Sequence, residues 1–159
     1  MIPYVSDTFN FVFPELITTD PLVPLDLSKI EGIALHHMAH PTADFKTVEE
    51  WHLNQGWRAF GYNFWIDFKG NVYVGRGWNV GAGVANRNST LISIGFQGDY
   101  EDTNKTMPEA QYKAGVELIK WIAERVPSVG EVGGHCDYNA TLCPGKYFPL
   151  KKMRNEAGF

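Results

Sequence analysis

Two histidines and a cysteine are the residues best placed to do chemistry together. His36 ends the apolar run IEGIALHH, His135 opens onto the segment GHCDYNATLCPG, and Cys143 follows it eight residues later. Two imidazoles and one thiolate suit Zn2+, and a catalytic zinc takes three protein ligands while keeping a fourth position for water. Zinc so held lowers the pKa of that water to about 7 and can polarise a carbonyl, which supplies a nucleophile at neutral pH. Each residue also has a plainer reading. A histidine at a strand end is commonly structural, and a lone cysteine is commonly a small buried apolar residue. The short-range pair His135 and Cys143 brings the metal reading level with the plainer ones, and spacing alone does not bring His36 to it.

These residues need elements to hold them. IEGIALHH, rich in β-branched residues, predicts a buried strand over 30–37. Asp44 can cap a helix from about Phe45 to Gln55 that Gly56 stops, with Val48 and His52 on one inward face. YNFWID and NVYVGR predict a hairpin turning at Phe68, Lys69 and Gly70. A long Gly- and Asn-rich loop, 75–88, follows, and loops of this length are often functional. TLISIGFQG predicts a further strand. Thr106-x-x-Glu109 has a capping-box pattern and predicts a helix over about 107–126, with Leu118, Ile119, Ile122 and Val126 as its apolar stripe. EVGGH predicts a short extended piece, and a last short helix is expected over 150–155. Residues 1–29 read as an arm laid over the domain, anchored by Phe9, Phe11 and Phe13; residues 30–159 read as the functional domain. The order of elements predicts an α/β fold with a mixed central β-sheet flanked by helices.

Composition excludes some classes of function. The chain is 44% hydrophobic with a formal net charge of -4 and no basic block, so it lacks the Lys/Arg stripe that phosphate contacts require of a nucleic-acid binder. No apolar run approaches the roughly 18 residues of a membrane span. The opening residues lack the basic stretch and cleavage site of a signal peptide. Five Trp, seven Tyr and ten Phe exceed what a small core needs, so some are expected to line a groove. Cys136 and Cys143 are near enough for a small disulfide loop, though one pair makes no disulfide scaffold.

The segments LHH, WHLNQGWRAFGYNFWID, GNVYVGRGW, NVGAG, ISIGFQGDY and GHCDYNATLCPG together resemble the amidase family that includes bacteriophage lysozyme-type amidases and animal peptidoglycan-recognition proteins. The resemblance covers about residues 30–150. It implies that family's fold, with His36, His135 and Cys143 as zinc ligands; non-catalytic recognition members typically replace the cysteine. It implies that the Tyr62 hydroxyl stands near the scissile carbonyl, where a phenol can donate to an oxyanion. Thr141 occupies a position where many phage members carry lysine and catalytic recognition proteins carry threonine. The chain departs from the pattern at Gly83, where the family often has histidine, and at Cys136, where it often has arginine; Cys136 is read as a non-ligand. His37, His52 and Asp137 are expected to orient or pack around the ligands, and Trp78 and Asn79 to line a peptide groove. His40 is expected to be simply exposed.

The function expected from this resemblance is zinc-dependent hydrolysis of the lactyl–L-alanine amide of bacterial peptidoglycan; composition adds that the protein neither binds nucleic acid nor inserts into membranes, and a monomer is favoured though the sequence does not fix the oligomeric state. A phage endolysin held in the host cytoplasm until release is the biological setting expected. Two alternatives stand beside it: a non-catalytic peptidoglycan-binding module, with the departure at Gly83 in its favour, and a cysteine-dependent cell-wall hydrolase. No histidine follows Cys143, which counts against a papain-like arrangement.

Overall fold

The computed structural model describes residues 2–159. Among the described residues six strands form one sheet: β1 (Phe11–Val12), β2 (Gly32–His37), β3 (Phe64–Ile66), β4 (Val72–Val74), β5 (Leu91–Phe96) and β6 (Glu131–Gly134). Their order is β1-β4-β3-β5-β2-β6. Only the hairpin pair β3–β4 is antiparallel, and every other neighbouring pair is parallel. Three helices, α1 (Phe45–Asn54), α2 (Glu109–Arg125) and α3 (Leu150–Glu156), accompany the sheet. This is the mixed, helix-flanked sheet that the sequence predicts.

Alternation along the two central strands decides what the sheet presents to each side. Ile33 and Leu35 of β2, with Ile92, Ile94 and Phe96 of β5, join the main core with Leu118, Ile119, Ile122 and Val126 of α2 and Met153 of α3. Each of these fully buried apolar side chains contributes roughly 1.5–3 kcal/mol. The opposite face carries Ala34, His36, Ser93 and Gly95. Beside it Phe45 and Val48 of α1 pack with Met38, Phe60 and Trp65 in a second cluster. Both central strands are buried along their whole length, so the polar residues among them have to find partners inside the protein.

Two departures from the sequence expectation have a clear physical cause. The strand begins at Gly32 because Ile30 closes a short 3-10 turn, Leu27–Lys29. The capping box does not form: α2 begins at Glu109 after Pro108, with no side-chain cap. A proline disfavours helical backbone in the residue before it, so Met107 cannot start the helix, and Glu109 pairs instead with Lys113 at 3.1 Å. Asp44 does cap α1, accepting from the Thr47 amide at 3.0 Å. In the N-terminal segment Phe9 and Phe11 pack on the core, whereas Phe13 is 63% exposed. Tyr4, not foreseen as an anchor, stacks on Trp78 with ring centroids 5.8 Å apart and accepts from the Trp78 amide.

Candidate metal centre

Parallel pairing puts the ends of β2 and β6 side by side, with Leu35 opposite Gly134. His36 therefore ends one strand close to the point where His135 leaves the other, and their rings lie 4.7 Å apart. His135 opens a 3-10 turn, His135–Asp137. The loop beyond it brings Cys143 back, fixed by the Cys136 amide donating to the Cys143 carbonyl at 2.8 Å. One donor atom each from His36, His135 and Cys143 all lie within 4.8 Å of one another. In a tetrahedral site with bonds of about 2.0–2.3 Å, such donors stand roughly 3.5 Å apart, so a small inward movement completes the geometry.

The imidazoles are prepared for this. His36 Nε2 lies 3.0 Å from Ser93 Oγ, and His135 Nε2 lies 2.9 Å from Asn139 Oδ1. With both Nε2 atoms engaged, Nδ1 of each ring is the nitrogen left for a metal. Burial, followed by the nearby His135, His37 and His52 rings, holds the His36 pKa well below its ordinary value, so the ring is neutral, the form that binds metal. Burial likewise pushes the Cys143 thiol up to about 12. A thiol so raised is a poor nucleophile by itself, whereas a coordinating cation removes its proton outright.

The cluster lies at a cleft of about 520 Å3 lined by His37, Tyr62, Asp99, Glu101, His135, Thr141 and Cys143, among others. The Tyr62 ring packs 4.8 Å from His36. Gly95, paired with His36 across the strands, makes room for it, since a Cβ there would meet Tyr62 at 2.8 Å and Trp65 at 2.7 Å. Burial and then Cys143 raise the Tyr62 pKa, so the phenol keeps its proton and can donate. Thr141 Oγ1 accepts from the Cys143 amide at 3.2 Å, which leaves the Thr141 hydroxyl hydrogen free to point elsewhere.

The residues expected around the ligands divide. His37 Nδ1 accepts from the Tyr100 amide at 3.0 Å, fixing the loop that carries Asp99 and Glu101. His52 Nδ1 accepts from the Gly61 amide at 2.9 Å, and its ring lies 5.3 Å from that of Tyr62. Asp137 holds no imidazole; its carboxylate braces the turn by accepting from the Gly134 amide at 2.8 Å. Trp78 does not line a groove. It is buried against Trp121, rings 5.7 Å apart, and donates to the Ile2 carbonyl. Asn79 donates to the Arg76 carbonyl within its own loop. His40 is half-buried, and its Nδ1 accepts from the Thr42 and Ala43 amides. Cys136 is exposed, and both cysteines are free thiols. Ser93 and Asn139 were not singled out in the sequence. For Asn139 the i,i+4 spacing from His135 was the available signal; for Ser93, 57 residues from His36, alternation on β5 offered only that its side chain leaves the core face.

The family model described as N-acetylmuramoyl-L-alanine amidase matches residues 26–146. Peptidoglycan-recognition protein SC2 of Drosophila simulans is 42% identical over 104 residues, which are 63% of this chain and 55% of that protein. The chain thus spans about half the length of the curated relatives it matches. Among solved structures, the endolysin N-acetylmuramoyl-L-alanine amidase LysCS from Clostridium intestinale superposes with a TM-score of 0.84 at 21% identity, covering 92% of this chain and 94% of that one. The ectodomain complex of peptidoglycan recognition proteins LCa and LCx bound to tracheal cytotoxin gives a TM-score of 0.77 at 25% identity, covering 92% and 95%.

Proposed function

Starting from a chain that belongs to the N-acetylmuramoyl-L-alanine amidase family, we propose that it is a zinc-dependent amidase cleaving the lactyl–L-alanine amide of bacterial peptidoglycan. The observation that carries this reading is the convergence of His36, His135 and Cys143 donors within 4.8 Å at a cleft that Tyr62 and Thr141 also line. When bound there, zinc would activate water and polarise the scissile carbonyl. The rest falls to the chain. Tyr62, protonated and beside His36, donates to the oxygen that gains charge as the carbonyl becomes tetrahedral. Thr141 adds a hydroxyl donor at the mouth of the cleft. His37 and His52 hold the backbone of the two loops that frame it.

A thiol hydrolase fits less well, because burial leaves Cys143 protonated and His135 is already paired with Asn139. A non-catalytic binding module is opposed by the intact donor set. The proposal extends to an endolysin role, with the protein held in the host cytoplasm until a membrane lesion releases it; this part rests on the sequence alone. Cytoplasmic expression with and without a pore-forming partner tests it, lysis only with the pore being the expected result and lysis without it the contrary one.

Digestion of purified peptidoglycan, read by mass spectrometry, tests the chemistry. Stem peptides with a free N-terminal L-alanine are expected, lost on chelation and restored by zinc. Cleavage that survives chelation sinks the metalloamidase, and sedimentation with the wall without any cleavage moves the case to the binding module.

A further inference from the structure

We propose that Ser93 and Asn139 are positioning residues that set which nitrogen of His36 and His135 faces the metal, and that residue 83 is glycine so that Ser93 can reach His36. The inference rests on the metalloamidase reading and deepens its site.

Asn139 makes the argument directly. Its amide nitrogen donates to the Tyr138 carbonyl at 2.9 Å and toward the Ala85 carbonyl at 3.4 Å, so the atom facing His135 is the oxygen. A carbonyl oxygen only accepts, so His135 Nε2 must carry the proton and Nδ1 keeps its lone pair for the metal. Ser93 plays the same part for His36. It is 2% exposed, and its amide donates to Asn63 Oδ1 at 2.8 Å. Asn63 in turn donates to the Gly77 and Asn79 carbonyls at 2.8 Å each. The Ser93 backbone is therefore held in place, and its hydroxyl, 3.0 Å from Nε2, occupies that nitrogen and leaves Nδ1 as the one open to a metal. Ligand imidazoles fixed in this way bind metal more tightly than free ones.

Gly83 completes the arrangement. A Cβ there would stand 2.7 Å from Ser93 Oγ, 3.1 Å from Ser93 Cβ and 3.2 Å from His36 Cε1. Its backbone needs no glycine, because its φ is not in the left-handed region. The space is what the glycine supplies. Any side chain at 83 presses on the serine–histidine pair, which gives a physical account of the chain's departure from its family at this position.

The test is zinc affinity of the full chain, measured by competition with a chromophoric chelator, alongside melting of the metal-free protein. Ser93→Ala and Asn139→Ala are expected to weaken zinc binding by about 10–100-fold while the metal-free melting temperature stays within a few degrees of wild type. Asn139→Asp, which keeps an accepting oxygen, is expected to restore wild-type affinity; a merely structural role would not show that rescue. Gly83→Ala should weaken binding like Ser93→Ala, and the double variant should lose little more than either alone, because the two act through one contact. Wild-type zinc binding with unchanged Ser93→Ala and Asn139→Ala variants overturns this inference and leaves the metalloamidase standing. Absence of zinc binding by the wild type overturns both. Should Ser93→Ala fail to fold, the Asn139 pair on its half-buried turn decides the matter.

Discussion

At the scale of single residues, the proposed mechanism separates metal holding from charge stabilisation, and substitutions should separate them too. Cys143→Ser removes a thiolate and is expected to lose both zinc and activity, followed by metal analysis and peptide release. Tyr62→Phe keeps the ring that packs 4.8 Å from His36 and deletes only the donor. It should lower kcat by about 10²-fold or more with zinc affinity unchanged; an equal loss of zinc would contradict the role given to the hydroxyl. Thr141→Val should cost less, because Thr141 is exposed and a donor in contact with water stabilises charge less well. The candidate donor set was legible through the resemblance to the amidase family, since residue type and spacing alone do not bring His36 to His135 and Cys143. The partners of those ligands were not. Serine and asparagine are common polar residues, and only the fold shows that one is buried against His36 and the other capped onto His135. Asp137 drew attention because carboxylates often orient imidazoles, yet the 3-10 turn points it back at the Gly134 amide.

At the scale of elements, the cleft exists because β5 changes residue size along one face. Ser93 and Gly95 are small where Tyr62, Trp65 and His36 need room. Gly95→Ala would place a methyl 2.7–2.9 Å from Trp65, Tyr62 and Met38, all on the α1 side. Overpacking of this kind costs typically about 1–3 kcal/mol, so the midpoint of denaturant unfolding should fall, and activity should fall further as Tyr62 is displaced. A variant with wild-type stability and turnover would show that the strand gives way more easily than the packing implies. Strands and helices were legible wherever their period was strong: β2, β5 and the stripe of α2 carry it plainly. The start of α2 departs from its capping pattern because that pattern overlaps a proline, and the proline's steric demand on Met107 prevails. Trp78 departs from its sequence expectation because local composition and distant contacts disagree. Its loop is rich in glycine and asparagine, which suggests surface, but the Tyr4 and Trp121 rings that enclose it come from distant parts of the chain.

At the scale of the whole molecule, buried neutral histidines tie stability to pH. His52 is 5% exposed, and burial, then Arg76, lowers its pKa to about 4, against an unfolded value near 6.5. Between those values the unfolded chain takes up a proton that the folded chain refuses. The unfolded state binds more protons there, so stability rises with pH and is lost as pH falls from about 6.5 to about 4. The size attached to His52 is about 3 kcal/mol, and lowered pKa values at His36 and His37 act in the same direction. Asp44, whose pKa is depressed by the Thr47 backbone and side-chain hydrogen bonds, contributes in the opposite chemical sense. Its stabilisation is present above the ordinary carboxylate pKa and is lost only at lower pH, so the two windows do not coincide. The metal-free protein should therefore unfold at markedly lower denaturant at pH 5 than at pH 7. His52→Gln, which can still accept from Gly61 but cannot titrate, should flatten part of that slope, at the expense of some stability at pH 7. If the unfolding midpoint of the wild type is the same at both pH values, the buried rings are being protonated in place, and the packing of α1 against Tyr62 must be looser than the structure shows.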